Sequence, residues 1–373
     1  MAIKTVFSVE STAEGVVADL AAHLAGFSVK FMVFFTSSKF DPQTLASIMN
    51  QRFAGAEVIG CTTAGEIISG KMLKNSLVAM AFDAEAMADV CVGVVKNLAD
   101  QDQVSEVFAG FERHTAQGML QLNPAKYVGI VLIDGLSLAE EKLMERIGDL
   151  TNVTFIGGSA GDDLKFKKTY VFAGGKAYTD AAVLALLKPQ IGFDLVKTES
   201  FSARKEVLKA TRVNEAKRIV YEFNGEPAIE AYAKALGVSK KDASNKFMSN
   251  PLGLLAGDEP YVRSPQKVQG DAMVFYCNVK EGMELRLLES TDIVQDTRDA
   301  VEARRKALGG ISGLINFHCI LRTLELEQEG RMGEYGEIFN EIPTIGFSTY
   351  GEEYLGHINQ TSTILIFNEP QRA

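Results

Sequence analysis

One short pattern occurs three times in this chain and restricts what it can fold into. It reads "VIGCTTAGEI" at 58–67, "FIGGSAGDD" at 155–163 and "TIGFSTYGEE" at 344–353. Each copy has an apolar residue before a glycine, then small or hydroxyl residues, a second glycine and an acid. The surroundings repeat as well. Lys30 and Lys126 are 96 positions apart (126 − 30), and so are Gly65 and Gly161 (161 − 65). A repeat at fixed spacing is read before any single element, because each copy is one supersecondary unit.

Each copy starts with a Val-, Ile- and Phe-rich run that reads as a buried strand. A helical pattern follows: Leu45, Ile48 and Met49 in the first copy, Leu143, Ile147 and Leu150 in the second. Asp41 and Pro42 fit N-cap and first-turn positions. A second strand then ends at the glycine turn. A third strand is expected at "SLVAMAFDA" in copy one and at "TYVFAGG" in copy two. The C-terminal part is a more diverged copy: "GLINFHCIL", an acidic helical stretch from about Thr323 to Asn340, "IPTIGFSTYGEEY" and "TSTILIF". The expected fold class is α/β, with mixed β-sheets covered by helices and built from repeated β-α-β-turn-β units.

Between the second and third copies the pattern changes. "EVLKATRVNEAKRIVYEFNG" reads as a hairpin and "EPAIEAYAKALGV" as a short amphipathic helix. "PLGLLAGDEPYVRSPQKVQGD" reads as loop. "AMVFYCNVKEGMELRLLE" reads as a hairpin turning at Glu281-Gly282, and "DIVQDTRDAVEARRKAL" as a helix stopping at Gly309. A length of 373 residues suggests two domains. The expected boundary lies near Asn224, giving domains 1–223 and 224–373.

The net charge of −10 and pI near 5.1 argue against nucleic-acid or anionic-membrane binding. Arg304, Arg305 and Lys306 sit beside Glu302 and read as a solvated helix face. The N-terminus has no signal-peptide pattern, and the runs "LVAMAF" and "AAVLALL" fall short of a membrane span. The four cysteines, Cys61, Cys91, Cys277 and Cys319, form no CxxC pair. They read as reduced thiols of a cytoplasmic protein.

"VIGCTTAGEI", "RIVYEFNGEPAIEAYAKALG", "FHCILR", "IPTIGFSTYGEEY" and "HINQTST" occur in an order that resembles a FIST protein. That is a bacterial sensory module with paired N- and C-terminal FIST domains. The resemblance covers roughly residues 28 to 367, with no transmitter or kinase domain left over, as in the stand-alone form. It implies a sensor of small ligands. "GHINQTSTILIF" resembles the branch described as haem-binding nitric-oxide sensors. That branch acts on a histidine kinase or a cyclic-di-GMP enzyme (a diguanylate cyclase or phosphodiesterase). A homodimer is among the expected assemblies.

With haem as the implied cofactor, His357 is the first candidate for the iron ligand, since neutral imidazole is the common choice. It follows the third glycine turn; the alternative is a partly exposed loop histidine. His318, beside Cys319, is the second candidate and departs from the family pattern; otherwise it is a satisfied strand histidine. His23 and His114 read as surface residues. Arg322 suits a haem propionate or another ligand carboxylate, or else an ion pair with a nearby glutamate. Tyr350 points into a cleft or caps a core. Cys61 and Cys319 read as buried thiols rather than nucleophiles.

An acid follows each turn (Glu66, Asp162, Glu352) where a phosphate loop has lysine, which speaks against nucleotide binding. Three functions remain: a haem-based nitric-oxide sensor, a haem-free sensor of a small polar metabolite such as an amino acid, and, least supported, a cysteine enzyme. In the second, Arg322 meets the carboxylate and Glu352 the amine. The third glycine turn is the copy to test for function, because it carries a tyrosine and leads into a histidine.

Overall fold

The computed structural model describes residues 2–100, 102–257 and 259–369. The first repeat contains β1 (Ile3–Ser8), α1 (Ala13–His23), β2 (Phe31–Ser37), α2 (Pro42–Arg52), β3 (Glu57–Thr63), the hairpin β4 (Glu66–Ile68) and β5 (Lys71–Leu73), and β6 (Leu77–Phe82). The second follows the same order. It has β7 (Met87–Lys96), α3 (Asp102–Thr115), β8 (Val128–Ile133), α4 (Glu140–Leu150), β9 (Phe155–Ser159), the hairpin β10 (Val171–Ala173) and β11 (Lys176–Tyr178), and β12 (Ala181–Pro189).

The third repeat opens with β13 (Phe193–Glu199) and is then interrupted. The insertion holds β14 (Phe201–Asn214), β15 (Ile219–Phe223), β16 (Glu226–Pro227), α5 (Ala228–Leu236), β17 (Leu252–Ala256), β18 (Glu259–Arg263), β19 (Pro265–Gln269), β20 (Ala272–Phe275) and β21 (Glu284–Ser290). The repeat resumes with α6 (Ile293–Leu308), β22 (Ile311–Cys319), α7 (Ile320–Gln328), α8 (Met332–Glu337) and β23 (Thr344–Thr349). It closes with the hairpin β24 (Glu352–Tyr354) and β25 (His357–Ile358), then β26 (Thr361–Asn368).

The repeat read from the sequence is present and longer than expected. Each unit also carries a leading strand, β1, β7 or β13, antiparallel to its last strand. "TYVFAGG" is not the third strand of copy two. It forms the first arm of the hairpin, and β12 takes the expected place. The hairpins are exchanged in a ring. β4–β5 joins the third repeat's sheet beside β23, β10–β11 joins the first beside β3, and β24–β25 joins the second beside β9. Each sheet therefore has six strands, two of them from another repeat.

Helices cover the outer face of each sheet. α1 and α2 pack on the first, α3 and α4 on the second, and α6 to α8 on the third. The inner faces share one core: Phe31, Val33 and Phe35 meet Ile130 and Leu132 and also Ile315 and Phe317. Phe35 lies 4.5 Å from Phe347 and 6.1 Å from Phe317, ring to ring. Burial on both faces explains why these strands read as unbroken apolar runs.

The glycine turns sit where the repeats hand chain to one another. Ala64 N–H donates to Ser348 O, Gly161 N–H to Thr62 O, and Ser159 N–H to Gly351 O. Gly65 adopts φ of 131°, in the region that favours glycine. At Gly60 a Cβ would lie 2.4 Å from Phe34 O on the parallel neighbour β2.

The insertion forms an eight-stranded sheet around α5. The sequence boundary near Asn224 falls inside it, because β14 and β15 pair with strands that follow Asn224. The expected hairpin at Glu281-Gly282 is absent: β14 and β15 lie between β20 and β21. The stretch expected as loop holds β17, β18 and β19: β17 pairs with β18 and β21, and β19 with β20. Arg304 and Arg305 lie on the exposed face of α6 and pair with Asp194 and Glu341 at 3.2 and 3.0 Å. Among the described residues no helix is long and apolar enough to cross a membrane.

Candidate functional site

A cleft of about 510 Å3 opens where the second repeat, the third repeat and the inserted sheet meet. The loop after β8 supplies Leu136 and Leu138, and the loop after β9 supplies Leu164 and Phe166. The insertion adds Phe275 and Arg218, and α7 adds Leu321 and Leu324. Leu138, Leu164 and Phe166 stay 59%, 39% and 54% exposed. Apolar side chains held open to solvent around a concavity mark a ligand or partner site.

The backbone here is strained. Leu138, Asp163, Leu164, Phe166 and Arg218 all have φ between 50° and 62°. Side chains other than glycine, asparagine and aspartate seldom accept this region, and such strain collects at functional sites. Tyr350 holds the 163–168 loop. Its hydroxyl donates to Asp162 Oδ1 at 2.6 Å and accepts from Leu164 N–H at 3.0 Å. Its ring stacks on Phe166 with centroids 5.0 Å apart. Asp162 also accepts the N–H groups of Phe166, Lys167 and Lys168. Partial burial disfavours its charge, but the Tyr350 hydroxyl and these N–H groups hold the carboxyl below its ordinary range.

Behind the cleft lies a buried charge network. Arg218 Nη2 is 2.7 Å from both Glu140 Oε2 and Glu141 Oε2, and Nη1 donates to Tyr276 O. Glu141 Oε1 accepts from Asn278 N–H. His357 Nδ1 lies 2.9 Å from Glu353 Oε1, with the imidazole 1% exposed. Burial works against the imidazolium, but Glu353, with Glu140 and Glu141 beyond it, pushes His357 up to about 9.

His357 is therefore not the partly exposed loop residue expected: it is buried, with Nδ1 on Glu353 and Nε2 without a partner. It is a buried cation on a carboxylate, and it does not line the cleft. His318 is fully buried beneath α7 and α8, its Nδ1 2.9 Å from the Tyr335 hydroxyl. It too is outside the cleft, whose lining contains no histidine, cysteine or methionine. Tyr350 does line it, but burial and Asp162 drive its phenol well above the usual value, away from the phenolate that would bind iron. The residues that line the cleft do not fit haem. No group of three metal-binding side chains occurs among the described residues.

Arg322 was expected to face a ligand carboxylate or a glutamate. Instead Nη1 donates to Ser200 Oγ at 3.3 Å and Nη2 to Thr297 Oγ1 at 2.9 Å. Cys61 and Cys319 are buried, and burial pushes both thiols well up, against a nucleophilic role. His23 and His114 are on the surface, as read.

Of the expected site residues only Tyr350 reaches the cleft. Asp162, Leu164, Phe166, Arg218 and Glu140 were missed. One signal was available: "DDLKFKK" follows the second glycine turn with two apolar residues among charges and no period.

The FIST N domain profile matches residues 30–226 and the FIST C domain profile residues 228–354. An uncharacterized protein of Methanocaldococcus jannaschii is 23% identical over 299 residues, covering 74% of this chain. The aligned part spans 57% of that relative's length.

Proposed function

Because this chain belongs to the FIST family, whose domains are signal-transduction sensors of small ligands, we propose that it is a haem-free sensor whose ligand binds in the cleft between its repeats and its inserted sheet. The ligand is a metabolite of amino-acid size with an apolar side chain. The observation that carries this reading is the concentration of strained, solvent-exposed apolar residues around one 510 Å3 concavity. Phe166, Leu138 and Leu164 supply the apolar wall, and Lys217 is the cation at the rim.

A bound ligand draws the 163–168 loop, α7 and the inserted sheet together. Arg218 lines the cleft and grips α4 through Glu140 and Glu141, so a shift there reaches the second repeat. The ligand acts by its difference in affinity for the open and closed arrangements. The output is a changed face for a partner, a histidine kinase or a cyclic-di-GMP enzyme. A thermal-shift screen of amino acids and small apolar acids tests this. We expect one class to raise Tm and Phe166→Ser to weaken its binding about tenfold. No stabilisation by any of them would reject the reading.

A further inference from the structure

The repeats act as internal controls for one another. In the third repeat, Thr198, Ser362, His318 and Ser348 stand side by side across β13, β26, β22 and β23. The row lies on the face covered by α6, α7 and α8. The matching row in the first repeat is Ser8, Leu77, Thr36 and Thr62. In the second it is Val95, Ala182, Ile133 and Ser159. The next position on the central strand is Asn316 in the third repeat, but Phe34 and Val131 in the others. The second repeat shows that the fold does not require polarity here, whereas the first keeps three hydroxyls in the row. Only the third repeat has an imidazole and an amide in this layer, with Arg322 above them.

The polarity has one sign. Arg322 is 1% exposed and forms no ion pair among the described residues. Glu199, which it attracts, is held by Lys197 at 3.0 Å. Burial raises Glu325 to about 7, which weakens it as a counter-charge. Of the buried atoms without a partner, three belong to this group: Arg322 Nε, His318 Nε2 and Thr198 Oγ1. All can donate. Asn316 Nδ2 donates to the Tyr335 hydroxyl, which lies 2.9 Å from His318 Nδ1 and only 3.5 Å from Ser362 Oγ. With the tyrosine proton assigned to the shorter contact, Nδ1, the remaining imidazole hydrogen falls on Nε2. Burial, with Arg322 beside it, keeps His318 neutral, so the guanidinium is the one charge of this group. A buried cation among unpartnered donors lacks a negative partner.

We propose that the layer between α6, α7 and the Thr198–Ser362–His318 row binds a small monovalent anion of halide or carboxylate size. Arg322 supplies the charge, and Thr198 and His318 supply donors. The site is separate from the cleft, and α7 stands between them: Arg322 points to the anion site, whereas Ile320, Leu321 and Leu324 line the cleft. Occupation fixes α7 and with it one wall of the cleft.

The test uses the whole protein. Crystals grown in bromide are expected to show an anomalous peak in contact with Arg322. Thermal unfolding is compared in chloride, bromide, formate and acetate against gluconate, at constant ionic strength. Small anions are expected to raise Tm by about 3–5 °C at ~100 times half-saturation. A response to carboxylates alone assigns the site to a carboxylate, and a response to halides as well assigns it to simple anions. Thr198→Val preserves shape, so its Tm in gluconate should match the parent while half-saturation rises several-fold. The proposal is overturned when bromide gives no peak at Arg322 and neither formate nor acetate raises Tm. Equal Tm in every anion, or an unchanged response in Thr198→Val, overturns it equally.

Discussion

His357 Nδ1 lies 2.9 Å from Glu353 Oε1, and neither side chain is more than 1% exposed. This pair ties β25 to β24 inside the second repeat's sheet. His357 is held near 9 in the fold, against an ordinary value of 6.5. A raised value means that its stabilisation is complete below about pH 6.5 and is lost as pH rises through about 9. The shift corresponds to roughly 3 kcal/mol as an upper bound. Urea unfolding at pH 6.5 and pH 9.5 measures the loss, and His357→Gln should flatten that limb. An unchanged slope in the variant would show that another group titrates.

Gly351 lies under the same imidazole. A Cβ there would sit 2.1 Å from His357 Cε1. Gly351→Ala must displace the ring from Glu353, so we expect a loss of about 2–3 kcal/mol. His357→Ala in the same background should recover part of it. A double-mutant cycle reads the coupling, and additive losses would contradict the contact.

Glu66 and Glu352 occupy matching places in the first and third repeats. Glu66 accepts from Ser76 N–H and Oγ, and Glu352 from Thr361 N–H and Oγ1. Burial pushes them up to about 7 and about 8. Each raised carboxyl favours the fold at low pH and loses that contribution as pH rises through these values. Glu66→Gln should therefore gain stability relative to the parent between pH 5 and pH 8, on the order of 2 kcal/mol. Equal melting differences at both pH values would count against it.

Tyr350→Phe removes the hydroxyl that joins Asp162 to Leu164 while keeping the ring on Phe166. We expect a modest loss of global stability, about 1 kcal/mol. Hydrogen exchange should be faster in the 163–168 loop, and ligand binding weaker. Unaltered exchange at Leu164 would mean that the loop is held by Asp162 alone.

Protein expressed with haem supply is expected to show no Soret band and to take up no added haemin. A ferrous spectrum lost in His357→Ala would reverse this reading and place iron on the unpartnered Nε2 of His357.

The periodic features of the fold were legible. Strand–helix–strand order, the Asp41 cap on α2 and the stop of α6 at Gly309 follow from local chemistry. The exchange of hairpins was not. Three-residue arms such as Val171–Ala173 are too short to say which sheet they join. At the site, Tyr350 was legible because one copy of the repeat differs from the others. His357 misled because a residue beside a glycine turn reads as exposed. Its burial comes from the second repeat's sheet, to which the hairpin pairing through β9 carries it. Arg322 was rightly expected to need a partner, but its hydroxyl partners lie 122 and 25 positions away.

The ring of exchanged hairpins also governs the order in which the chain can mature. β4 reaches its place only when β23 exists, and Ile68 pairs with Ile345, 277 positions on (345 − 68). During synthesis the first sheet presents β3 as an open edge until β10 emerges, and the second presents β9 until β24 does. Open edges recruit foreign strands, and long-range closure is slow. A product truncated before β23 would leave the β4–β5 hairpin and β9 without partners, although the first sheet is complete once β10 and β11 have emerged.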